Sequence, residues 1–75
     1  MEARYANYVK VGHNAVEFIF DFGQFYQNEE EARFHTRIAT APLYAKYFAR
    51  MLCASLKTFE ATYGAIEGDA ADIET

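Results

Sequence analysis

Between Val16 and Phe22 the chain sets Val16, Phe18, Phe20 and Phe22 at every second position, with Glu17 and Asp21 among the residues between them. Side chains alternate sides along a strand, so this run predicts a strand with one aromatic face and one partly charged face. Residues 4–11 (RYANYVKV) predict a strand before it, and Gly12-His13-Asn14-Ala15 predicts the turn that joins them. A four-residue turn sets Val11 opposite Val16, and Val9, Asn7 and Tyr5 opposite Phe18, Phe20 and Phe22. On the other face Lys10 then meets Glu17 and Tyr8 meets Ile19. Such cross-strand pairs add roughly 0.2–1 kcal/mol each, and one register satisfies both faces. The first two strands are therefore expected at residues 4–11 and 16–23.

Residues 24–32 (QFYQNEEEA) predict a loop with Glu29-Glu30-Glu31 at its solvated tip. The period of two resumes over residues 33–40 (RFHTRIAT), a third antiparallel strand. Its expected core face carries Phe34, Thr36 and Ile38. The opposite face carries Arg33, His35 and Arg37, beside Glu17 and Asp21. Thr40 is a candidate cap for a following helix, Pro42 is tolerated in its first turn, and Gly64 suits its end. The helix is expected at residues 42–63. At 100° per residue Lys46, Arg50, Cys53, Lys57 and Glu60 gather on one ridge. The apolar arc opposite includes Tyr44, Phe48, Met51, Leu52 and Phe59, with Tyr47 along its edge. A helix on one small sheet needs an apolar stripe of roughly 100–150°. This arc exceeds it, so a second surface is expected, most simply another copy of the chain.

Size sharpens that expectation. Seventy-five residues make one small domain, with Cys53 as the single cysteine and hence no internal disulfide. The expected division is residues 1–66 as a strand-strand-strand-helix domain and 67–75 as an acidic disordered tail. Seven basic and seven acidic side chains balance over residues 1–66, and the net charge of −4 comes from Glu67, Asp69, Asp72 and Glu74. A neutral folded part lacks the basic excess of nucleic-acid binders. The start of the chain, Met1-Glu2-Ala3-Arg4-Tyr5, lacks the apolar core of a signal peptide, and the expected location is cytoplasmic. No apolar stretch approaches the roughly 20 residues of a spanning helix, so no membrane partner is expected.

Candidate chemistry is sparse. His13 and His35 are the two histidines, and no C-x-x-C, H-x-x-x-H or H-E-x-x-H spacing accompanies them. Glu17 and Asp21, four apart on a strand, stand about 13 Å apart, too far to share a glycosidic bond in the usual way. Phosphate-cradling glycine patterns are absent. No catalytic residue, cofactor or metal is expected.

The segments Tyr5-Ala6-Asn7-Tyr8-Val9, Val11-Gly12-His13-Asn14, Glu17-Phe18 and Asp21-Phe22-Gly23-Gln24 form a string of short motifs. Arg33 to Ile38 (RFHTRI), Pro42, Ala45-Lys46, Phe59-Glu60 and Gly64 continue it. Over residues 5–64 the chain resembles a small bacterial family of proteins of uncharacterised function. The resemblance implies a compact strand-strand-strand-helix protein and no catalytic activity. A looser similarity, in architecture alone, is to subunits of SecB-like export chaperones.

The sequence thus predicts an α+β protein: three antiparallel strands, one long helix, and assembly as a homodimer or larger. The expected role is a non-enzymatic protein-binding or scaffold protein, with Tyr44, Tyr47, Phe48, Met51, Leu52 and Phe59 at its interface. Its expected partners are itself and a further protein. Two alternatives are nucleic-acid binding through Arg33, His35 and Arg37, and a SecB-like chaperone activity. An enzyme using His13, His35 or Cys53 ranks last.

Overall fold

The computed structural model describes residues 1–68. Three strands, β1 (Tyr8–His13), β2 (Phe18–Gln24) and β3 (Arg33–Thr40), precede one helix, α1 (Pro42–Tyr63). They form an antiparallel sheet in the order β1-β2-β3. The α+β architecture, the third strand and the helix bounds agree with the sequence reading. No helix among the described residues is long and apolar enough to cross a membrane.

The first hairpin corrects the expected register. The ladder pairs Tyr8 with Gly23, Val9 with Phe22, Lys10 with Asp21 and Val11 with Phe20. Lys10 therefore faces Asp21 rather than Glu17, and Tyr8 faces Gly23 rather than Ile19. Asn14 is the cause. Its Oδ1 accepts the amides of Val16 and Glu17 at 2.8 and 2.9 Å, and its own amide donates to Glu17 O at 3.0 Å. That side-chain-to-backbone turn puts Val16 and Glu17 in the loop and lets β1 run through Gly12 to His13. The shift spans an even number of residues, so the apolar faces stay as expected. Residues 4–7 lie outside the strand.

A bulge corrects the second expectation. Phe20 pairs with Ile38 and Phe22 with Thr36, but Gly23 pairs with Phe34, leaving His35 as the extra residue of β3. Phe34 is thereby turned away from Ile38 onto the opposite face, where its ring lies 5.7 Å from that of Tyr8. Gly23 permits this approach. A Cβ there would stand 2.9 Å from Arg33 C and 3.0 Å from Phe34 Cα.

The helix starts abruptly. Pro42 disfavours helical geometry in the residue before it, and Ala41 is extended at φ −69°, ψ 153°. Ala41, not Thr40, is the N-cap, and no side chain caps the helix. Thr40 stays in the ladder opposite Phe18. At the far end Gly64, at φ 98°, donates its amide to Glu60 O at 2.9 Å. Phe48 meets Phe20 edge to face at 5.5 Å, which fixes the side of the sheet on which α1 sits. Ala45 is buried at this contact, while Val9, Val11 and Ile38 on the same side of the sheet stay about half exposed.

Gly23→Ala is expected to cost about 1–3 kcal/mol, the range for forcing extra volume into a packed site. Gly12→Ala, with open space around the added carbon, is expected to stay within about 0.5 kcal/mol. Urea denaturation at one fixed protein concentration checks both; equal effects would contradict the close-approach account.

Candidate functional site

The principal surface is apolar. The ladder places Val9, Val11, Phe18, Phe20, Phe22 and Ile38 on the face towards α1. Even there Phe20 on the central strand is not fully buried, and Val11 and Ile38 are 55% and 48% exposed. Ala45 is the one buried hydrophobic residue among those described. The helix positions expected at an interface, Tyr44, Tyr47, Phe48, Met51, Leu52 and Phe59, are all exposed in the single chain. Further along α1, Leu52, Leu56 and Phe59 line a shallow apolar depression together with Ile66. Glu60 brings Ile66 there, its Oε2 accepting the Ile66 amide at 2.9 Å.

The uncovered area is large for the mass. The chain exposes 6931 Å², whereas a folded monomer of 8.6 kDa exposes about 4,700 Å². Assigning residues 69–75 the full area of an unfolded chain still leaves an excess of about 1,500 Å² over a monomer of the remaining length.

The other face of the sheet holds charges and a second aromatic group. Arg37 donates to Asp21 through Nε and Nη2 at 2.7 and 3.0 Å, a two-point pair across β2 and β3. These hydrogen bonds outweigh the opposing effect of desolvation and, with the charges of Arg37 and Lys10, hold the Asp21 carboxyl below its ordinary value. The same bonds raise the Arg37 guanidinium above its own. Arg33, ladder partner of Gln24, is turned by the bulge to the α1 side rather than to the expected face of Arg37; it pairs with Glu29 rather than Glu17 and lies 5.6 Å over the Tyr26 ring. On the outer face Tyr8 touches both Phe25 and Phe34, at 6.0 and 5.7 Å between ring centres.

His35 ties the start of the chain to the bulge. Its Nε2 donates to Tyr5 O at 3.0 Å, which leaves Nδ1 to accept from the Thr36 hydroxyl at 2.7 Å. Arg4 Nη1 donates to His35 O at 3.1 Å. Arg33, His35 and Arg37 are thus each engaged within the chain. His13 lies against the Phe18 ring at 5.2 Å, and Cys53 is partly exposed on α1. Among the described residues no three of His, Cys, Asp and Glu are grouped to hold a metal ion. The alternation of residues 33–40 concealed the Tyr8–Phe25–Phe34 cluster, because it assigned Phe34 to the other face.

A family model described as a protein of unknown function, DUF3467, matches residues 1–68. The chain belongs to this family. Comparison with curated proteins and with solved structures returns no match. DUF3467 membership agrees with the expected resemblance to a family of unknown function and carries no activity with it.

Because Asp21 titrates below its unfolded value, its pairing stabilises the fold fully above about pH 4, the ordinary aspartate value. The contribution is lost as pH falls through the lowered folded value. In Arg37→Ala the Asp21 titration, followed by NMR, is expected to move up towards the ordinary range; an unmoved titration would contradict this origin of the shift.

Proposed function

We propose that this DUF3467 chain is a non-enzymatic protein-binding or scaffold protein that works as a homo-oligomer. The observation that carries the reading is the excess of exposed area in a single copy, together with exposed apolar side chains on the sheet face towards α1 and along the helix itself. Hydrophobic burial is the main force that offsets the conformational entropy of folding, and one copy supplies too little of it. With residues 69–75 set aside, about 5,900 Å² is exposed against an unfolded area of about 11,400 Å², so this copy buries about 49%, where a comparable small domain buries roughly 60%. Self-association supplies the difference, and a cytoplasmic homodimer is its simplest form.

The protein-binding part of the reading draws on the far side of the sheet. Tyr8, Phe25 and Phe34 are exposed there, next to Lys10 and the Glu30-Glu31 loop. Aromatic side chains among charges suit a protein interface, where the ring is buried and the rim stays wet. Arg33 and Arg37 fall on opposite faces of the sheet and are each engaged by a carboxylate, Glu29 and Asp21, which argues against a shared phosphate-binding face. The exposed aromatic cluster also supports a second reading, the SecB-like chaperone activity. Suppression of aggregation of an unfolded test protein, lost in Phe34→Ser, would favour it over a scaffold.

Light scattering on the purified chain at micromolar concentration is expected to give at least twice 8.6 kDa. Phe48→Asp or Leu52→Asp should split the assembly or unfold it. A well-folded monomer of the unsubstituted chain would overturn the reading, and a salt-dependent gel shift lost in Arg33→Ala/Arg37→Ala would favour nucleic-acid binding.

A further inference from the structure

We infer that the sheet face bearing Val9, Val11, Phe20 and Ile38 is covered by the Leu52–Leu56–Phe59 stripe of α1 from a second copy, and reciprocally. This rests on the homo-oligomeric reading above and assigns its interface. Three successive rows of the face carry no charged side chain: its ladder partners are Val11–Phe20–Ile38, Val9–Phe22–Thr36 and Phe18–Thr40, with His13 at one edge and the Gln24–Arg33 pair beyond Phe22–Thr36 at the other. Lys10, Asp21 and Arg37 all point to the opposite side. Whatever covers such a face must itself be apolar, because burying an unpaired charge against it is costly.

The chain's own helix does not cover it. One residue, Ala41, separates β3 from α1, so the first turn is held beside Thr40. Ala45 is buried there and Phe48 reaches Phe20, but Val11 and Ile38 remain about half exposed. Leu52, Leu56 and Phe59 lie beyond that contact, at i, i+4 and i+7 on one face of the helix. They are themselves exposed, and the polar ridge of Lys46, Arg50, Lys57 and Glu60 is also open to solvent. The chain therefore carries two uncovered apolar surfaces of matching character.

They match in size as well. Seven residues of helix rise about 10 Å, so the stripe from Leu52 to Phe59 spans that length. The outer strands of a three-stranded sheet are also about 10 Å apart. A helix laid across the strands would set one apolar side chain over each. The area agrees. The whole-chain excess of about 1,500 Å² per copy sets an upper bound of about 3,000 Å² for a pair, which reaches the range of obligate homodimers. A foreign partner would need one surface for the sheet face and another for the stripe. A second copy related by a two-fold axis covers both at once, at equal stoichiometry.

The test uses single cysteines in a Cys53→Ser background. Val9→Cys or Val11→Cys is placed on a tagged copy, and Leu52→Cys or Leu56→Cys on an untagged one; the two are mixed under reducing conditions and then oxidised. At least one of the four combinations is expected to form the mixed disulfide at least tenfold more than a Phe34→Cys control, whose thiol lies on the other face of the sheet. A dimer by light scattering with no cross-link above control would overturn this interface while leaving the oligomer standing. A monomer would overturn both. A disulfide formed within one chain by Val11→Cys/Leu56→Cys, seen as a compact monomer band, would show that the chain's own helix closes the face and would overturn the inference.

Discussion

The rest of this structure depends on where the apolar area of the helix-side face goes. Val11, Phe20 and Ile38 form one cross-sheet row, and in a single chain the flanking two are about half exposed. At roughly 25 cal/mol per Å², removing such area from water is the largest favourable contribution to folding, and a 75-residue domain without a disulfide has few substitutes. The backbone ladders hold the strands in order, but hydrogen bonds exchanged with water contribute only modestly on balance. On the proposed homo-oligomer, folding and assembly are one problem for this chain. The helix is built for both, with its first turn fixed to the sheet and its later turns projecting apolar side chains that the sheet of the same copy does not receive.

The two sides of the sheet are separated by a small backbone event. At Gly23 the absence of a side chain lets the β3 backbone come close, and the register slips by one residue. That slip moves Phe34 from the helix side to the outer side, where it joins Tyr8 and Phe25. It also leaves His35 at the bulge, bonded to Tyr5 and Thr36, so that the start of the chain is tied across the sheet. The outer face thus combines an ion pair, Asp21 with Arg37, and an aromatic cluster. It has the composition of a surface that meets water or a partner, while the inner face has the composition of half a core.

Much of this was legible in the sequence, for identifiable reasons. The alternation through Phe18, Phe20 and Phe22 defined a strand face because the period of two is intrinsic to extended backbone. Pro42 and Gly64 bounded the helix because one restricts the residue before it and the other accepts positive φ. The width of the apolar arc on α1 already pointed to exposed Phe48, Leu52 and Phe59. The register of the first hairpin was not legible, because it hangs on two hydrogen bonds to the Asn14 side chain that alternation does not encode. Nor was the bulge, since Gly23 reads equally as a turn residue at the end of a strand. The aromatic cluster followed the bulge out of view.

If one copy holds only half of its core, folding must be coupled to association, and stability must depend on concentration. Thermal unfolding by circular dichroism from about 1 to about 100 µM tests this directly, since the native state of an obligate oligomer gains by mass action. A midpoint that climbs steadily with concentration is the predicted result. A cooperative transition with the same midpoint throughout would mean that a single chain closes its own core, and would contradict the account.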